Sequence, residues 1–116
     1  MSAQTAREIV KDLLMDHRGS DNPITAREIN GRIDEDSIGS FPGTRQIIRE
    51  IIVEDQVPIA AGNQGYYVIE TEEELREYVN NLDERTLSIV ERKQAVLRAA
   101  DDWEDRIETS ADEDLL

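Results

Sequence analysis

Residues 44–79 decide the fold, and their sequence is TRQIIREIIVEDQVPIAAGNQGYYVIETEEELREYV. In the first part of this stretch, isoleucines recur at the spacing of one helix face. The pattern predicts a helix that begins between Ser40 and Thr44 and runs to about Asp55. Its buried side is expected to contain Phe41, Ile47, Ile48, Ile51 and Ile52.

Two short β-type runs follow this helix, at residues 57–61 and 66–69. A Gly- and Asn-rich loop, residues 62–65, separates the runs, and this arrangement predicts a β-hairpin. Thr71 and Glu74 then have the spacing of a capping box, in which each side chain bonds the backbone N–H of the other residue. This box opens a helix that is expected to continue to about residue 108.

Two more helices are predicted before this stretch. The first covers residues 5–17, and the second begins at a capping box formed by Thr25 and Glu28. Their apolar residues recur at the i, i+3, i+4 spacing of a buried face: Ala6, Ile9, Val10, Leu13, Leu14, Ala26, Ile29 and Ile33. The chain is therefore expected to be mainly α with a small β-hairpin, in the order of a winged helix-turn-helix core with a long C-terminal helix.

The same stretch resembles a known family. Its features are Arg45 and Arg49 on the third helix, then Pro58-Ile59, Gly65-Tyr66-Tyr67 and a Glu-rich helix start at residues 72–75. These features are similar to those of small winged helix-turn-helix proteins encoded by viruses, prophages and plasmids, including haloarchaeal ones. The resemblance implies sequence-specific DNA binding in transcriptional or replication control. Two features depart from the family pattern, namely a long acidic loop at residues 34–43 and a wing without Lys or Arg.

On a helical wheel, the third helix presents Arg45, Gln46 and Arg49 opposite its isoleucines. Arginine can bond guanine and glutamine can bond adenine in the major groove, so this face is the predicted reading face. At the helix start, Ser40 and Thr44 are predicted to hold a phosphate. At the wing tip, Asn63 and Gln64 are predicted to reach a phosphate or a minor-groove edge. Two alternatives stay open, that the arginines pair with acids such as Asp36 or Glu50, and that the wing is a plain turn.

The long helix carries a stripe of apolar residues that a small core cannot cover. It is predicted to form a homodimer through Leu82, Ile89, Val96, Trp103 and Ile107. A helix folded back on its own domain is the alternative, and the orientation of a dimer is left open. The expected organisation is a DNA-binding domain at residues 1–70, a dimerisation helix at residues 71–108 and a disordered acidic tail at residues 109–116.

Charge is the unusual feature of the composition. The chain has 27 Asp and Glu against 13 Lys and Arg, a net charge of −14, and only Lys11 and Lys93 are lysines. Such a surface resembles proteins of salt-in halophiles, where molar salt shortens the Debye length to ~3 Å. An ordinary acidic protein is the alternative. So much negative charge argues against binding of nucleic acid in dilute salt. The second functional hypothesis is therefore a protein-interaction module, or a DNA mimic, that docks on a basic replication or transcription protein.

The chain shows no pattern typical of catalysis. Cysteine is absent, His17 is the only histidine, and there is no phosphate-binding glycine loop or nucleophile motif. Residues 34–39 begin like a calcium loop, but Ile38 and Arg45 occupy ligand positions. We therefore expect a cytoplasmic, non-enzymatic protein without a cofactor, a metal, a membrane segment or a small-molecule substrate, whose partners are double-stranded DNA and a second copy of itself.

Overall fold

The computed structural model describes residues 4–103 and is mainly helical, with one antiparallel hairpin and a long C-terminal helix. The order of these elements is the one that the sequence predicts. The elements in chain order are α1 (Ala6–Met15), α2 (Ala26–Ile33), α3 (Pro42–Glu54), β1 (Ile59–Gly62), β2 (Gly65–Val68) and α4 (Glu72–Asp101). The chain divides into two compact units after Tyr78.

Threonine side chains cap the start of three of the four helices found in residues 4–103. Thr5 caps α1 by accepting a hydrogen bond from the Glu8 backbone N–H, at 3.2 Å. The predicted capping box of Thr25 and Glu28 is confirmed, with both reciprocal bonds present. Thr71 and Glu74 form the same pair of bonds before α4, at 3.1 and 3.3 Å. These bonds satisfy N–H groups that have no partner within the helix, which fixes where each helix begins.

The core lies between α1, α2, α3 and the hairpin. Its buried cluster consists of Val10, Leu14, Ile24, Ile29, Ile48, Ile51, Ile59 and Val68. The predicted buried face of α3 is confirmed at Ile48 and Ile51, but it is wrong for Ile52, which is 36% exposed. Ile52 lies at the edge of the apolar arc. Thr44, near the middle of that arc, is fully buried in its place.

The hairpin is tighter than the sequence suggests. Gly62 pairs with Gly65, so only Asn63 and Gln64 connect the two strands. The second edge of β2 is also paired, because Ile24 and Tyr66 exchange backbone hydrogen bonds of 2.8 and 2.7 Å. The segment between α1 and α2 thereby fixes the hairpin against the helices.

Gly65 makes this close pairing possible. Its φ is +133°, and a Cβ at this position would lie 2.5 Å from the carbonyl oxygen of Ile24. A side chain would therefore meet backbone that is itself held by hydrogen bonds. The glycine of the Gly-Tyr-Tyr strand is required by this contact.

The long helix α4 ends at Asp101, and Asp102 and Trp103 form a turn. The end expected near residue 108 and the expected tail at residues 109–116 lie outside the described residues. All residues from 79 to 96 are exposed to solvent. Within residues 4–103, no helix is both long enough and apolar enough to cross a bilayer.

Candidate nucleic-acid interface

The predicted reading face lies on the surface of α3. Arg45, Gln46 and Arg49 are all exposed. Val53, the next residue on this face, is 74% exposed although it is apolar. Because Ile48 and Ile51 fix the opposite face in the core, the rotation of α3 about its axis is set by packing.

Hydrogen bonds to two separate parts of the chain hold the Arg45 side chain in one orientation. Its Nε donates to the carbonyl oxygen of Ser40 at 2.7 Å, just before α3. One terminal nitrogen donates to the Tyr66 hydroxyl of β2 at 2.5 Å, and the guanidinium carbon lies 5.9 Å from the centre of the Tyr66 ring. The side chain therefore bridges the start of α3 and the hairpin, with its other terminal nitrogen open to a further acceptor.

Arg49 forms its contact within the reading face itself. It donates to the side-chain oxygen of Gln46 at 2.5 Å. Within residues 4–103, neither Arg45 nor Arg49 has a carboxylate within 4.0 Å. The alternative in which acids neutralise these arginines is therefore not found in this part of the chain.

The nearby carboxylate of Asp36 is engaged elsewhere, at the N-terminus of α3. It accepts hydrogen bonds from the backbone N–H groups of Gly43 and Thr44 and from the Thr44 hydroxyl, at 2.8–2.9 Å. Partial burial of the carboxylate opposes its ionisation, but these three donors outweigh that effect and lower the pKa of Asp36. Gly43 leaves room for the carboxylate, since a Cβ there would lie 2.9 Å from its oxygen.

Thr44 does not have the surface position that a phosphate contact needs. Its side chain is buried, and both its N–H and its hydroxyl are bonded to Asp36. We therefore leave Thr44 out of the proposed interface. Its position in the middle of the apolar arc of α3 was the signal in the sequence that it faces inward. Ser40 is exposed just before α3, where it lies beside Arg45.

The acidic loop between α2 and α3 is ordered by one amide. The side-chain oxygen of Asn30 accepts from the backbone N–H groups of Glu35 and Asp36, at 3.0 and 2.9 Å. Its side-chain nitrogen donates to the Asp36 carbonyl at 2.9 Å. Asn30 thus sets the position of Asp36, and through it the N-terminus of α3.

A groove joins the start of α2, the reading face and the wing tip. It encloses about 200 Å³ and is lined by Thr25, Ala26, Arg45, Ala61, Gly62, Asn63, Gln64, Gly65 and Tyr66. The structure thus brings Arg45 together with Asn63 and Gln64. Gln46 and Arg49 are not among the lining residues and lie further along α3.

Arg27 is a cation that the sequence patterns did not single out. It is exposed near the start of α2, and its guanidinium lies 5.5 Å from the centre of the Phe41 ring. Phe41 is the residue that immediately precedes α3, and its backbone has a left-handed φ of 52°. No local pattern pairs these two residues, since the contact depends on how α2 and α3 pack.

The predicted dimerisation residues lie on α4 and its end. Leu82, Ile89, Val96 and Trp103 are all exposed, and Ile107 lies outside the described residues. Residues 4–103 contain no group of three or more His, Cys, Asp or Glu residues that could hold a metal ion.

Comparisons of the chain with family models, with curated proteins and with solved structures found no match.

Proposed function

We propose that this chain is a sequence-specific DNA-binding protein of the winged helix-turn-helix type, with α3 as recognition helix and the hairpin as wing. The observation that carries the proposal is the exposed face of Arg45, Gln46 and Arg49, whose arginines have no acidic partner within residues 4–103. Three helices followed by a hairpin, with the second edge of the hairpin paired to the α1–α2 segment, are consistent with this architecture.

The chemistry of this face suits the major groove. A guanidinium donates two parallel hydrogen bonds to O6 and N7 of guanine, and a glutamine amide pairs with N6 and N7 of adenine. Each such contact discriminates against a wrong base by ~1–3 kcal/mol. The bridge from Arg45 to Ser40 and Tyr66 limits the side-chain entropy that this residue loses on binding.

The wing would contribute neutral donors in place of cations. Asn63 and Gln64 are exposed at its tip, and both line the groove with Arg45. Their amides can donate to phosphate oxygens, which fixes register without reading sequence. Because few cations face the DNA, few counterions are released on binding, and the affinity should fall only gently with salt.

A net charge of −14 is compatible with DNA binding under one condition. In molar KCl the Debye length is ~3 Å, so repulsion from distant carboxylates is screened while direct hydrogen bonds to bases remain. We therefore place the protein in a halophile. In view of its resemblance to mobile-element proteins, we propose that it regulates transcription of a virus or related element.

The first test is selection of bound duplexes from a randomised DNA library in molar KCl, followed by fluorescence anisotropy. The wild-type chain should prefer the selected duplex to a scrambled one. The double variant Arg45→Ala/Arg49→Ala should lose this preference, because it removes both bidentate contacts, each worth ~1–3 kcal/mol.

The matched control is Arg18→Ala/Arg32→Ala. It removes the same charge from two exposed positions that belong to neither the reading face nor α4. This control should bind the selected duplex as the wild type does. If no duplex is enriched, or if both double variants behave alike, the proposed reading face is wrong. The acidic surface would then favour docking on a basic protein.

A further inference from the structure

From residue 79 to residue 96, the helix α4 exposes an apolar surface that no described residue of the second unit covers. One row recurs every seven residues, and a second row lies four residues after each member. Together they form the α4 stripe: Leu75, Val79, Leu82, Thr86, Ile89, Lys93, Val96 and Ala100. All of these except Ala100 are exposed, including Ile89 at 65% and Val96 at 60%. Alternating steps of four and three residues are the spacing at which two helices pack knobs into holes.

The charges along α4 are divided between its two halves. Residues 72–84 contain six acidic side chains and one basic side chain, a net charge of −5. Residues 85–101 contain four basic side chains and two acidic side chains, a net charge of +2. A second copy of the same helix is therefore complementary in charge only if it runs in the opposite direction.

Lys93 gives a second, local reason for this direction. It is the one charged member of the α4 stripe. In a parallel pair of identical chains, it would meet Lys93 of the second copy in the same layer, at a position that the pairing removes from water. In an antiparallel pair it packs beside the acidic half of the other helix. Packed helices are 8–10 Å apart. This attraction therefore acts at about 0.1 M salt, where the Debye length is ~10 Å, and is largely screened in molar salt.

We propose that α4 pairs antiparallel with α4 of a second copy of this chain, through the α4 stripe. The proposal does not depend on DNA binding, because neither the stripe nor its charges include a residue of the reading face. It adds an orientation to the dimer that the sequence predicts.

Spin labels give a direct test, since the chain has no cysteine and single-cysteine variants are labelled at one site. Asn81→Cys, Ser88→Cys and Ala95→Cys are suitable, because all three positions are exposed, uncharged and seven residues apart outside the stripe. In an antiparallel pair, a step of seven residues away from the centre changes the axial offset between equivalent labels by about 20 Å. The three distances should therefore be unequal, with the longest at Ala95. Three equal distances would mean a parallel pair and would overturn the proposal.

Sedimentation measures whether the pair forms at all. The measurement is made at the lowest KCl concentration at which circular dichroism shows the folded chain. Val96→Asp should raise the dimer dissociation constant at least about tenfold, because the pairing would bury its carboxylate. Ala95→Asp adds the same charge beside the stripe, where it stays in water, and should raise the dissociation constant much less. A wild-type chain that stays monomeric at all accessible concentrations, with α4 folded, would overturn the proposal. So would equal effects of the two variants.

Discussion

Tyr66 is the residue that joins the hairpin to the proposed reading face. Its ring packs against the core, and its hydroxyl accepts a hydrogen bond from Arg45. A guanidinium held at one terminal nitrogen presents its remaining donors in a fixed direction. The selectivity of a base contact benefits from such preorganisation, because a flexible arginine side chain can reach several alternative acceptors.

Tyr66→Phe keeps the ring and removes the acceptor. We expect binding to scrambled DNA to stay unchanged, while preference for the selected duplex falls by up to about tenfold, the value of one hydrogen bond. Competition anisotropy with the two duplexes measures this ratio. Tyr67→Phe is the matched control, since its ring is the neighbour on the opposite face of β2. An unchanged ratio in Tyr66→Phe would show that the tyrosine does not position Arg45.

Gly65→Ala tests the close contact between β2 and Ile24. The added Cβ meets a carbonyl oxygen at 2.5 Å, and φ is +133°. We expect the free energy of unfolding to fall by roughly 1–3 kcal/mol, measured by urea denaturation. Gly62→Ala places a methyl group across the same turn with its nearest neighbour at 3.7 Å, and should cost less. Equal costs would contradict the proposed role of this contact.

At the residue scale, the sequence predicted the exposed face of α3 but not its contacts. Arg45, Gln46 and Arg49 follow from helical periodicity alone. The bridge to Tyr66 and the contact of Arg27 with Phe41 depend on packing between elements that are distant in sequence. For Thr44, residue type alone gave the wrong role. A hydroxyl at a helix start can contact a phosphate, but it can equally donate to a carboxylate of the same chain, as the Thr44 hydroxyl does to Asp36.

At the element scale, α3 depends on a cap supplied from the preceding loop. Because the pKa of Asp36 is below that of an ordinary aspartate, its ionised form stabilises the fold. This stability is present above the unfolded pKa, ~3.9, and is lost as the pH falls through the lower folded value. Asp36→Asn should therefore lower the free energy of unfolding at pH 7, with the difference shrinking in acid.

Urea denaturation at several pH values measures this difference. Asp21→Asn, in an exposed loop between α1 and α2, removes the same charge and is the control. If Asp36→Asn is no less stable than Asp21→Asn at pH 7, the cap does not stabilise α3.

The buried face of α3 allows a test with two adjacent isoleucines. Ile51 is fully buried, whereas Ile52 is 36% exposed. Ile51→Ala should cost roughly 2–5 kcal/mol in unfolding free energy, because it leaves a cavity. Ile52→Ala should cost clearly less. Equal costs would mean that the sequence-based assignment of both residues to the core was the better one.

The elements themselves were predictable because local signals agree. Capping threonines, apolar periodicity and the glycine-rich loop each predict the same boundaries to within a few residues. The exact turn was not predictable, since residues 62–65 allow several loop lengths and only the pairing of Gly62 with Gly65 selects two residues. The paired second edge of β2 also had no sequence signal, because Ile24 lies in a loop.

At the scale of the whole molecule, charge is expected to control stability. The described residues contain few ion pairs, chiefly Arg7 and Lys11 of α1 with Glu54 and Asp55 at the end of α3. Most of the acidic side chains that give the net charge of −14 therefore have no basic partner and repel one another. The unfolding midpoint should rise by several degrees between about 0.1 M and about 2 M KCl as screening increases. Thermal melts followed by circular dichroism measure it, and a constant midpoint would contradict the halophilic assignment.

The division of the chain after Tyr78 also separates its chromophores. The three tyrosines are residues 66, 67 and 78, all in the first unit, and the only tryptophan is residue 103, in the second. Tyrosine signals therefore follow unfolding of the hairpin unit, while indole emission follows the environment at the end of α4. A single unlabelled sample can thus report on the two units separately, the first through its tyrosines and the second through its tryptophan.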